Sequence, residues 1–164
     1  MLIINDNYIT RSFVMTIELL KRMMDACYQA KRIRDMLPPL PEGVTSSYIQ
    51  YLDIIETMQN QGLQVKVSDI SDSLSLPRPG VTRTVKEMEQ KGYLKKSTSP
   101  KDGRVTYLTL TETGQALSQK YNQKCFSILA DYTEEISEED AECMIRTMDR
   151  LYHIMCERRI HLDK

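Results

Sequence analysis

The fold is decided by the stretch "VSDISDSLSLPRPGVTRTVKEMEQKGYL", Val67 to Leu94. Ser68 offers a hydroxyl to an orphan backbone N–H, which predicts the start of a short helix over Asp69 to Leu74. "SLPRP" leaves room only for a tight turn before a second helix, from about Pro79 to Lys91, since proline suits a first helical turn and not an interior. Within that second helix Val81, Val85 and Met88 recur on one face, and Gly92 is placed to close it. Two short helices across a tight turn make a helix-turn-helix.

The flanks extend the pattern. "LQVKV" before the first helix predicts extended backbone, while Tyr93 to Thr98 and Arg104 to Leu110 alternate as the two strands of a hairpin with "SPKDG" at its tip. Together they give a winged helix-turn-helix. Upstream, "TSSYIQYLDIIETMQNQ" begins at a cap among Thr45, Ser46 and Ser47, aligns Tyr48, Leu52, Ile55 and Met58, and ends at Gly62. Before it, about Tyr8 to Leu37, the spacing of Ile9, Phe13, Ile17, Leu20, Met24 and Cys27 predicts an amphipathic helix that "PPLPEG" stops. Downstream, Thr111 caps a helix running to about Tyr132 with Leu117, Tyr121, Cys125, Ile128 and Tyr132 on one side. Ser137 with Asp140 opens the last helix, whose stripe is Ala141, Met144, Met148, Leu151, Tyr152 and Met155.

The expected class is mainly α (α+β), in three regions: residues 1–43 as an N-terminal helix and linker, 44–110 as the winged helix-turn-helix, and 111–164 as C-terminal helices. Long terminal helices around a small domain able to close its own core need another surface to cover their stripes, and a second copy of the chain is the economical choice. Phe13, Ile17, Leu20, Met144, Met148, Leu151, Tyr152 and Met155 are the residues expected in that dimerisation layer.

With 164 residues, 41% hydrophobic and 27% charged, the composition is that of an ordinary globular protein. No apolar run approaches membrane-spanning length and the N-terminus lacks the pattern of a secretory signal, so the expected location is cytoplasmic, without a membrane partner. The net charge is only −1, but it is partitioned: Lys66 to Arg104 holds nine Lys/Arg against five Asp/Glu, leaving 13 against 18 elsewhere. A cationic region on an acidic body is the footprint expected for nucleic acid.

On a helical wheel with Val81 inward, Pro79, Arg83, Lys86 and Gln90 point the opposite way and Thr82 and Glu87 lie on the flanks. That face carries the donors that phosphates and major-groove base edges accept, and Gly80 allows close backbone approach. At the hairpin tip Asp102 stands two residues before Arg104 and can aim its guanidinium, beside Lys101, toward a narrow minor groove. Nothing points to catalysis: there is no phosphate-binding glycine loop, no nucleophile elbow, and only two histidines. His153 and Cys156 do not make a closed metal site, and no cofactor is implied. A winged helix used only for protein contacts is the alternative, because the fold does not dictate DNA binding.

The residues also carry a resemblance. "DGRVTYLTLTETG" fits the pattern Asp-x-Arg, five residues, Leu-Thr-x-x-Gly of the wing of MarR-family regulators, through Asp102, Arg104, Leu110, Thr111 and Gly114, and the Val67 to Leu94 segment is similar to the family's two-helix unit. The resemblance implies a homodimeric transcriptional regulator, most simply a repressor, on a pseudo-palindromic double-stranded DNA operator. Ser68, Arg78, Gly80, Thr82, Arg83 and Lys86 would stand at the DNA from the two helices, and Lys101, Asp102 and Arg104 from the wing. It further implies release by a small, often phenolic, effector or by cysteine oxidation. Cys27 is the redox candidate, although its place on the apolar stripe equally suits an inert core thiol.

Overall fold

The computed structural model describes residues 15–99 and 105–158, and the chain divides into two units, Met1–Pro39 and Leu40–Lys164. In the first unit, helix α1 spans Ile17–Asp35. Its start lies well after the predicted Tyr8, because Thr16 has extended backbone and its hydroxyl accepts the Leu19 N–H at 3.1 Å. Glu18 in the first turn and Arg32 and Arg34 in the last complement the helix dipole. No residue of α1 is buried, and Phe13 lies outside the described residues.

The second unit begins with α2 (Ser46–Asn60), followed by β1 (Val65–Lys66), α3 (Val67–Ser73) and α4 (Arg78–Gln90). Strands β2 (Leu94–Thr98) and β3 (Thr106–Leu110) follow, then α5 (Glu112–Ser118), a π-helical stretch Gln119–Lys124, α6 (Cys125–Tyr132) and α7 (Glu138–Glu157). The sheet is antiparallel in the order β1-β3-β2, with Val65 opposite Leu108 and Leu94 opposite Leu110. Among the described residues, every buried apolar side chain lies between Val44 and Tyr121. Leu52, Ile55, Ile70, Val81, Val85 and Met88 are fully buried where α2, α3 and α4 meet the sheet. The core sits within the winged helix-turn-helix and is extended by Leu117 and Tyr121 from the segment that follows it.

Helices α2, α3 and α4 end alike. The residue after the C-cap takes positive φ in each, Gly62 (76°), Ser75 (51°) and Gly92 (76°). The next residue's N–H returns to the carbonyl five positions back: Leu63 to Met58 at 3.0 Å, Leu76 to Ser71 at 3.0 Å and Tyr93 to Met88 at 2.9 Å. This is the Schellman arrangement, which satisfies carbonyls that a helix end leaves open. The two glycines are expected from the sequence; Ser75 is not.

Three other expectations are corrected. Ser68 does not cap α3: the helix begins at Val67, two residues earlier than expected, and the Asp69 carboxylate accepts the Lys66 N–H at 2.8 Å while Ser68 donates to Asp69 at 3.3 Å. The extended stretch before it shrinks to Val65–Lys66. The helix from Thr111 to Tyr132 is not uniformly α. Its middle opens into a π-helical stretch where Ser118 donates to Glu56 at 2.5 Å, Gln123 to Glu56 at 3.1 Å and Asn122 to the Ile49 carbonyl at 3.0 Å. Its ends behave as expected: Thr111 accepts the Gly114 N–H at 3.1 Å, and Ser137 accepts that of Asp140 at 3.1 Å to open α7.

Beyond Tyr121 the apolar stripes stay uncovered. Ile128, Tyr132, Met144, Tyr152 and Met155 are exposed, Met148 sits at the margin with 36%, and Leu151 is half-buried. Among the described residues no helix is long and apolar enough to cross a membrane.

Candidate nucleic-acid interface

Helix α4 is held by its apolar face. Val81, Val85 and Met88 are each 0% exposed, so the 100° step per residue turns Arg83 and Lys86 to the opposite side and Thr82 to the flank; these three and Arg78, the first residue of the helix, are all exposed. Pro79 occupies the first turn, and Pro77 precedes the helix without a side-chain cap. The α4 N-terminus, which carries the positive end of the helix dipole, thus opens directly next to Arg78. Thr82 and Thr84 bond back to the carbonyls of Arg78 and Gly80 at 2.9 and 3.2 Å. Gly80 is also exposed, and a Cβ built on it meets no atom within 4 Å. Nothing inside the unit requires glycine there.

The turn that presents α4 is tied together from within. Ser71 is buried and donates to the Leu76 carbonyl at 2.6 Å, bracing the same turn that Ser75 closes in the left-handed conformation. Ser68, half-buried at the start of α3, is the one expected DNA-facing residue whose hydroxyl already has an intramolecular acceptor in a side chain, Asp69. Sequence reasoning missed Ser71 because its acceptor lies across the turn.

The C-terminal half of α4 is clasped from two sides. The Tyr48 hydroxyl, on α2, donates to the Glu87 carboxylate at 3.2 Å, and Lys96 on β2 pairs with Glu89 at 2.7 Å. Lys91 places its ammonium 5.3 Å from the centre of the Tyr48 ring and bonds to the Gly43 carbonyl, while the Tyr93 ring meets that of Tyr48 edge-on at 6.1 Å. Burial of Tyr48, and next its bond to Glu87, push the phenol above its ordinary value, so it remains a donor at neutral pH. None of these tertiary links is visible in a local window, since Tyr48 and Glu87 are 39 residues apart.

The wing is anchored where the strands meet α5. Thr111 donates through its hydroxyl to the Gly92 carbonyl at 2.6 Å, and its N–H bonds to the Tyr93 carbonyl at 3.2 Å. Gly114 packs so tightly on that carbonyl that a Cβ would lie 2.0 Å from its oxygen. Lys101, Asp102 and Arg104 lie outside the described residues. Cys27 is half-buried on α1. Among the described residues no group of three or more His, Cys, Asp or Glu is placed to hold a metal ion.

Comparison with known proteins agrees with this geometry. Residues 42–105 match the model of the MarR family. Over 82 residues the chain is 32% identical to the organic hydroperoxide resistance transcriptional regulator of Bacillus subtilis, which covers 50% of this chain and 54% of that protein. In three dimensions it is similar to a MarR/EmrR family transcriptional regulator from Acinetobacter sp. ADP1, with a TM-score of 0.63 at 20% identity over 88% of this chain and 100% of the other. The S. aureus MepR–DNA complex matches with a TM-score of 0.57 at 19% identity over 87% and 99% of the two chains. The chain spans 54–64% of the length of three curated relatives that it matches.

Proposed function

We propose that this chain, whose residues 42–105 match the model of the MarR family, is a DNA-binding transcriptional regulator rather than an enzyme. One observation carries the reading: α4 is fixed by three fully buried residues so that Arg83 and Lys86 face solvent, with Arg78 exposed at the uncapped helix N-terminus. Such a face suits the major groove, where arginine and lysine serve both phosphates and guanine edges. Gly80 and Thr82 accompany them, with Ser68 contributing from α3. Arg104, with Lys101 and Asp102, enters the minor groove from the wing.

The chain acts as a homodimer in this reading. The exposed Met144, Met148, Tyr152 and Met155 on α7 with the half-buried Leu151, and Ile17 and Leu20 on α1, supply the apolar surface that a second copy covers. The two α4 helices then address half-sites about 34 Å apart on a pseudo-palindromic operator. Repression relieved by a small phenolic effector, or by oxidation at Cys27, completes the proposal.

The test is selection of duplexes from a random pool, followed by binding at several salt concentrations. A specific complex loses affinity with a log–log slope of about −0.9 per phosphate contact, and Arg83→Ala or Arg104→Ala reduces both affinity and slope. A chain with no preference among duplexes, or one that is monomeric, refutes the reading and leaves the winged helix as a protein-contact module. Adding phenolic compounds or peroxide to the complex then decides whether either releases the DNA.

A further inference from the structure

Helix α4 carries two carboxylates close in sequence to its outward cations, Glu87 on the flank and the half-buried Glu89. A carboxylate in that position harms binding in two ways: it repels phosphate, and it competes for the guanidinium one turn away. Glu87 is four residues after Arg83, the spacing at which side chains on a helix surface meet and pair. Yet among the described residues Arg83 forms no ion pair, and Glu87 is turned instead to the Tyr48 hydroxyl at 3.2 Å. Glu89 is likewise taken by Lys96.

Tyr48 is well built for this task. It is 3% exposed, so its ring is immobilised in the core, and only the hydroxyl end reaches Glu87. The Lys91 ammonium over its ring, itself held by the Gly43 carbonyl, adds positive charge on the α2 side of α4. Both features favour the Glu87 rotamer that points away from Arg83.

Building on the DNA-binding reading, we propose that Tyr48 is a positioning residue for that contact: by holding Glu87 against α2 it keeps Glu87 from pairing with Arg83 and leaves the Arg83 guanidinium available to the duplex. Tyr48 itself touches no DNA. Its effect passes through a competing ion pair on the helix surface.

The experiment uses the full chain and a duplex selected by the wild-type protein, with binding followed by fluorescence anisotropy and folding by thermal melting. Tyr48→Phe keeps the ring and the core and removes only the donor. It is expected to weaken binding about two- to threefold, the scale of a competing i,i+4 ion pair on a helix surface. Glu87→Gln alone binds at least as tightly as wild type, and Tyr48→Phe with Glu87→Gln binds as tightly as Glu87→Gln alone. The rescue separates this role from a merely structural one, because a loosened core is not repaired by neutralising a surface carboxylate. Unchanged affinity in Tyr48→Phe, or a double variant as weak as Tyr48→Phe, overturns the positioning role while the regulator reading stands. A wild-type chain that selects no duplex overturns both.

Discussion

Gly80→Ala separates what the fold needs from what the DNA face needs. Gly80 is the third residue of α4 and is not among the residues of positive φ, and an added Cβ meets nothing within 4 Å. Alanine at a helical position of this kind is favoured over glycine by about 0.5–1 kcal/mol, from helix propensity and the reduced freedom of the unfolded chain. For a chain of 164 residues that corresponds to a rise of about 1–4 °C in melting temperature. The same methyl projects from the exposed surface of α4, and under the DNA-binding proposal the close approach of a duplex to this backbone leaves no space for it. A loss of about tenfold in affinity, equivalent to ~1.4 kcal/mol, is expected for the selected duplex. Thermal melting at fixed chain concentration, with anisotropy titration on the same preparation, measures both. A lowered melting temperature refutes the packing argument. Raised stability with unchanged affinity refutes the placement of the α4 N-terminus against DNA.

Three further outcomes test the fold and its electrostatics. Ser75→Gly relieves a left-handed residue that costs about 1–2 kcal/mol, partly offset by the greater freedom of glycine when unfolded, so a net gain of about 0.5–1 kcal/mol is expected in denaturant titrations. Gly114→Ala drives a methyl into the Tyr93 carbonyl and should cost about 3 kcal/mol, seen as a lower denaturation midpoint; an unchanged midpoint contradicts the close approach. Desolvation first, and then the nearby Glu56 carboxylate, raise the Asp53 carboxyl above its ordinary value. A raised acid favours the folded state below pH 3.8 and loses that contribution as pH rises through its folded pKa, so Asp53→Asn should stabilise at neutral pH and the gain should vanish in acid. A gain that persists unchanged at pH 3 contradicts the assignment.

What could be read from the chain alone was whatever a few neighbouring residues control. The repeat of Val81, Val85 and Met88 orients α4 because a helix turns by a constant angle, and the fully buried triplet follows from it. Gly62 and Gly92 mark helix ends because left-handed backbone is easy only for glycine, while Thr111 and Ser137 cap helices through bonds that span three residues. The outward Arg83 and Lys86 followed from the same wheel. Tertiary structure decided the rest, where a residue's role is set by a partner far along the chain. Ser75 takes a glycine's conformation because the Ser71 and Leu76 bonds hold the turn, and Gly114 is required by a carbonyl on Tyr93 rather than by its own backbone angles. The π-helical stretch sits where Ser118, Asn122 and Gln123 meet α2, at separations of 62 to 73 residues. Glu87 reads in sequence as a neighbour of Arg83, and only the packing of α2 on α4 brings Tyr48 close enough to claim it. Local propensity is additive and short in range, whereas competition between two partners for one carboxylate is resolved only when the core sets which of them is within reach.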